Sequence, residues 1–105
     1  MSEVKVSVTF RHTKPTDALK QYAEEKIHRV GKYFFQPLQA HVVLAVDSKG
    51  CQMAEVELHT HGTMIHGKEQ TADLYSAIDL VMDKIERQIR KRKEKIKLNR
   101  RRAKV

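Results

Sequence analysis

The chain has 105 residues, 40% of them apolar and 32% charged, with a formal net charge of +8 and a mean hydropathy of −0.60. That is one small domain with material for a single core. No run approaches the roughly 18 apolar residues a membrane span needs. The opening MSEVKVSVTF alternates polar and apolar and does not resemble a signal peptide. The single cysteine, Cys51, excludes an internal disulfide framework and a cysteine-based zinc site, so a soluble, cytoplasmic protein is expected.

Charge is unevenly spread. Residues 1–83 carry 9 basic and 11 acidic side chains, net −2, whereas residues 84–105 carry 12 basic and 2 acidic, net +10. A positive excess concentrated in the last fifth of a chain points to a polyanionic partner, nucleic acid first and an anionic membrane second.

Val4, Val6, Val8 and Phe10 alternate with polar residues, which predicts a half-buried strand. After His12-Thr13-Lys14-Pro15, Thr16 is placed to cap a helix with Asp17 in its first turn. Leu19, Ala23, Ile27, Val30 and Phe34 then follow at helical spacing, about five turns. Leu38 to Val46 is rich in β-branched residues, and Asp47 to Gly50 reads as a turn. Cys51 to Thr60 alternates again. A tight turn at His61-Gly62-Thr63 leads to a short fourth strand, Met64 to His66. Beyond Gly67, Thr71 and Asp73 open a second helix whose apolar stripe is Leu74, Ile78, Val81, Ile85 and Ile89. The order β-α-β-β-β-α predicts a two-layer α+β sandwich with both helices on one face of a four-stranded, mainly antiparallel sheet, as in double-stranded-RNA-binding domains. The second helix is expected to outrun the sheet after Ile89. Residues 1–98 form the expected domain, and 99–105 a basic tail that is disordered without a partner.

Lys84, Arg87, Lys91 and Lys95 lie on one ridge of the second helix, about 100° round from its core stripe. Tyr22, Lys26, Arg29 and Tyr33 repeat that spacing on the first. Cations interleaved with aromatic rings suit RNA, and side-by-side helices would let the two ridges wall one groove.

The string from His66 to Asp79, continuing through Asp83-Lys84-Ile85-Glu86-Arg87-Gln88-Ile89-Arg90-Lys91, resembles the signature of the ribosome hibernation promoting factor and ribosome-associated inhibitor A family, also called the sigma-54 modulation protein family. Thr16-x-Ala18-Leu19 through Glu25-Lys26 and Lys32-Tyr33-Phe34 fit the same pattern, and the resemblance covers nearly all of residues 4–98. It implies binding to the small ribosomal subunit and its 16S rRNA, in the channel where mRNA and tRNA lie. Translation would be blocked by occupancy, without catalytic residues, cofactor, metal or small-molecule substrate. The chain resembles the short type, without a second domain for dimerising ribosomes, which makes a separate ribosome-dimerising factor a further candidate partner. The basic tail favours the promoting-factor branch over the branch with an acidic tail. RNA-contact positions carried over by resemblance are Lys26, Arg29, Lys32, Lys84, Arg87 and Lys91; Arg90 and Lys95 are added on charge alone.

Other readings compete. Two helices on an antiparallel sheet also serve generic binders of structured RNA. His59, His61 and His66 invite a zinc site and a small metal-dependent enzyme, but no Cys or carboxylate is obviously placed to complete it. Cys51 has no local base, and Asp79 and Asp83, four residues apart, suit helix packing better than acid–base work.

Overall fold

A computed structural model describes residues 4–33, 37–60 and 62–103, with side chains as far as Lys91. The elements are β1 (Val4–Arg11), α1 (Asp17–Gly31), β2 (Leu38–Val46), β3 (Gln52–Thr60), β4 (Thr63–Thr71) and α2 (Leu74–Ala103). The predicted β-α-β-β-β-α sandwich is the observed one. The sheet runs β1-β2-β3-β4, with β1 and β2 parallel and the other two pairings antiparallel. Because α1 is the crossover between parallel strands, it lies over β1 and β2, and α2 lies over β3 and β4.

The core fills the space between these layers. From the sheet come Leu38, Val42, Leu44, Val56, Leu58 and Ile65; α1 gives Leu19, Ala23, Ile27 and Val30; α2 gives Leu74, Ile78, Val81, Ile85 and Ile89. Each large aliphatic side chain so buried contributes about 1.5–3 kcal/mol relative to exposure. The edge strand β1 is only half covered: Val4, Val6, Val8 and Phe10 pack against the core from its margin.

Local chemistry sets the boundaries. Thr16 caps α1, its Oγ1 accepting from the Leu19 amide at 3.2 Å. The helix stops at Gly31, shorter than the five turns expected, and Phe34 lies outside the described residues. In the β2–β3 turn, Asp47 Oδ1 accepts from the amides of Lys49 and Cys51 at 2.8 and 2.9 Å, while Gly50 supplies a φ of +84°.

The fourth strand departs most from expectation. Instead of three residues it has nine, and Gly67, read as its end, sits mid-strand opposite Val56. The reason is tertiary. A Cβ at Gly67 would lie 3.1 Å from Val81 Cγ2 and 3.2 Å from Ile85 Cδ1, so glycine is what lets α2 seat closely on β4. Thr71 therefore closes β4, and Asp73 alone caps α2. Its Oδ1 accepts from the amides of Tyr75 and Ser76, and its Oδ2 from the Ser76 hydroxyl.

Candidate nucleic-acid interface

The cations singled out by sequence divide into two sets. On α1, Lys26 and Arg29 lie on the flank that faces α2, and Lys32 is the residue that caps its C-terminal end; Arg29 and Lys32 are exposed. On α2, Lys84, Arg87, Arg90 and Lys91 are all exposed, while Lys95 lies in the helix beyond the described side chains.

The two ridges do not wall one groove. Lys84 reaches across the outer edge of the sheet to β4, where its Nζ lies 3.1 Å from Glu69 Oε1. Gln88, one turn on, donates to the His66 carbonyl of the same strand at 2.8 Å. The flank of α2 that faces α1 carries Asp79, Met82, Asp83 and Glu86, which with Lys26, Arg29 and Val30 line an interhelical groove of about 340 Å³. Lys84 and Asp79 are about 140° apart around the helix, one on each side of the core stripe. The groove thus has a basic wall and an acidic wall, and the α2 ridge looks outward on the far side. Arg90 is the exception, three turns beyond Asp79 and within about 20° of it round the axis.

Contacts across the helix seam are specific. The Tyr22 hydroxyl donates to Asp79 Oδ1 at 2.5 Å, and Lys26 Nζ lies 3.5 Å from the same oxygen and 5.2 Å from the centre of the Tyr22 ring. Tyr75 meets Tyr22 edge to face, with ring centres 5.0 Å apart and planes at 73°. The hydrogen bond to Asp79, with desolvation and the carboxylate's charge behind it, raises the Tyr22 phenol above its ordinary pKa. Neither Asp79 nor Tyr75 was singled out as a site residue from sequence. Each sits four residues from its helical neighbour, as Tyr22 does from Lys26, but spacing alone does not say that the two pairs face each other.

The sheet's open face holds His59 and His66. His66 Nε2 lies 2.7 Å from Glu55 Oε2, and His59 Nε2 lies 3.4 Å from Glu57 Oε2. The register sets His59 opposite Met64 and His66 opposite Glu57, so these two imidazoles are not paired across the strands; His61 is outside the described residues. Among the described residues no group of three or more His, Cys, Asp or Glu is placed to hold a metal ion.

Fold and charge together define a class: a small basic α+β sandwich whose positive excess is carried by its second helix. The chain belongs to the Sigma 54 modulation protein / S30EA ribosomal protein family, whose pattern it matches over residues 6–97. It is similar to the ribosome hibernation promoting factor of Azotobacter vinelandii, with 37% identity over 92 residues spanning 88% of this chain and 85% of that one. The Escherichia coli ribosome hibernation promoting factor is 33% identical over 94 residues, 90% of this chain and 98% of the relative. Among solved structures, the Thermus thermophilus Protein Y N-terminal domain superposes with a TM-score of 0.75 at 32% identity, covering 83% of this chain and 97% of that domain.

Proposed function

We propose that this protein is a cytoplasmic ribosome hibernation factor that binds the small ribosomal subunit through its 16S rRNA, in the path of mRNA and tRNA. It silences translation by occupancy and carries out no reaction. The observation that carries this reading is the charge of residues 84–103, 11 basic and 2 acidic side chains, net +9, held on one long helix of a fold shared with ribosome hibernation promoting factors. A charge that dense on a single element is beyond what solubility needs and suits a polyanion such as folded RNA.

Within this reading Lys84, Arg87, Arg90, Lys91 and Lys95 meet phosphates from α2, and Lys26, Arg29 and Lys32 do so from α1 and its C-terminal cap. Residues 1–98 form the binding domain and 99–105 a basic extension of it. A separate factor that dimerises ribosomes is a candidate partner.

Competition tests the mechanism. Small subunits pre-loaded with mRNA and initiator tRNA should bind the protein much more slowly, or not at all, than empty subunits. Equal binding to loaded and empty subunits would exclude occupancy of that path. A sucrose-gradient profile with and without the protein reads monosome against dimer storage in the same preparation.

A further inference from the structure

Tyr75 is an exposed aromatic ring in a region otherwise governed by charge. It is 43% exposed, at the first turn of α2. An isolated exposed ring is unremarkable on most surfaces, but this one is held. Its neighbour Tyr22 meets it edge to face at 5.0 Å, and Tyr22 is itself fixed through its hydroxyl to Asp79. Lys26 Nζ then sits 5.2 Å from the Tyr22 ring centre and 3.5 Å from the same carboxylate.

Two consequences follow from that geometry. In an edge-to-face pair one ring keeps both faces uncovered by its partner, whereas stacked rings would consume one face of each. Tyr22 is half-buried with Lys26 against its ring, whereas Tyr75 is exposed, so most of the pair's accessible aromatic surface is that of Tyr75. The cation beside the pair is also already oriented, held between a carboxylate and a ring. An oriented aromatic face next to a positioned ammonium has the chemistry that takes an unpaired nucleotide, with the base on the ring and a phosphate on the cation.

We infer that Tyr75 is the stacking surface for one unpaired base of the bound RNA, with Tyr22 and Asp79 as the residues that position it. This rests on the RNA-binding reading above and extends it from phosphates to a base. Single-stranded or bulged RNA is the ligand class, since a base within a regular helix has no free face to offer.

The test titrates purified small subunits and protein-free 16S rRNA with wild type, Tyr75→Phe, Tyr75→Trp, Tyr75→Leu and Lys26→Gln, each over a range of salt. Tyr75→Leu keeps apolar bulk and removes the π face. It should bind about tenfold more weakly to both targets, within the range found for loss of one stacked base. Tyr75→Phe and Tyr75→Trp should stay within about twofold of wild type, because the face and not the hydroxyl is used. The salt slope of Tyr75→Leu should equal that of wild type, since no phosphate contact is lost, whereas Lys26→Gln should flatten it by about 0.7. Wild-type affinity in Tyr75→Leu overturns the stacking site and leaves the RNA reading standing. So does a flattened slope in that variant, which would mean the ring acts only by holding Tyr22 and, through it, Lys26. A loss on subunits with none on protein-free rRNA assigns Tyr75 to a protein contact instead. Failure of wild type to bind either target overturns both proposals.

Discussion

The Tyr22 hydroxyl donates a 2.5 Å hydrogen bond to Asp79 Oδ1, joining α1 to α2 across 57 positions of sequence. The bond lies at the seam between the helices, in the same small cluster as Lys26. It therefore couples the relative placement of the two helices to the placement of a candidate RNA-binding cation.

That bond has a pH signature. The Asp79 hydrogen bond, then desolvation, then the Asp79 charge all favour the neutral phenol, so the folded pKa of Tyr22 lies above the unfolded value of about 10. The sign follows from linkage: the contribution is fully present below the unfolded pKa and is lost as pH rises through the folded one. A spectrophotometric titration of the folded protein should show a tyrosine transition later than any in the unfolded chain, and Tyr22→Phe should remove it. In Asp79→Asn that late transition should move back towards the unfolded value. A late transition that survives unchanged in Asp79→Asn would contradict the geometry.

The Asp73 cap gives the opposite sign. The Ser76 hydroxyl, then the backbone amides of Ser76 and Tyr75, hydrogen-bond to its carboxylate and hold its pKa below the ordinary aspartate range. The stability this supplies is present above the unfolded pKa and fades as pH falls through the folded one. Asp73→Ala should lower the melting temperature by a few degrees at neutral pH, with a smaller difference from wild type near pH 2. An undiminished difference at pH 2 would show that the cap does not act through its charge.

Gly67 predicts a packing defect. In Gly67→Ala the new methyl meets Val81 Cγ2 at 3.1 Å and Ile85 Cδ1 at 3.2 Å, and both belong to buried side chains that have little room to retreat. Overpacking of this kind costs about 1–3 kcal/mol. Urea unfolding should report a loss in that range, and Val81→Ala in the same chain should recover part of it by removing one of the two obstacles. A Gly67→Ala variant as stable as wild type would mean that α2 shifts off β4 without cost.

These residues also show which parts of the molecule are legible in a single sequence. Thr16 as a cap, the Leu19-Ala23-Ile27-Val30 stripe and the alternation of Val4 to Phe10 are local patterns, and the structure agrees with each. The role of Gly67 is not local. A glycine ahead of a helix reads as a strand end, and only the packing of α2 on β4 reveals a contact point. The misplaced groove has a similar cause. Helical periodicity gives the angle of Lys84 and of Asp79 from the core stripe but not which flank meets α1. That is decided by the strand order, which puts α1 over β1 and β2 and α2 over β3 and β4. The charge asymmetry needs no geometry and is legible in the sequence directly, whereas the shape of the surface is not.

Salt dependence tests the charge of the interface as a whole. About six cations meeting phosphates of folded, largely non-duplex RNA give a slope of log K against log salt near −4, at about −0.7 per contact. Two candidates, Lys26 and Lys84, already lie in ion pairs with Asp79 and Glu69, so moving to a phosphate exchanges one partner for another. Glu69→Gln releases Lys84 from that exchange. An exposed pair of this kind is worth about 0.2–1 kcal/mol, so the variant should bind small subunits up to about fivefold more tightly. A nearly flat salt response in wild type would mean that the basic flanks are not the binding surface.

The last prediction separates ridge from tail. Residues 99–105 hold four cations, Arg100, Arg101, Arg102 and Lys104, with no apolar periodicity among them. The helix continues to Ala103, but Ile89 is the last buried residue among the described side chains. Removing Asn99 to Val105 should therefore leave folding and melting temperature nearly unchanged. Lys84, Arg87 and Lys91 sit within or just beyond the turns of α2 seated on the sheet, so their charges are presented from a rigid support. Reversing all three to Glu removes three attractions, adds three repulsions and sets a new carboxylate beside Glu69. That triple reversal should abolish binding to small subunits, with circular dichroism confirming an intact fold and the added Glu69→Gln change relieving any local repulsion. The truncation should weaken binding by no more than about tenfold, or about 1.4 kcal/mol. A cation far from the core must be immobilised on binding and so contributes less than one on a packed helix. A truncation more damaging than the triple reversal would make the C-terminal cations the principal anchor, and the assignment of the site to the packed part of α2 would be wrong.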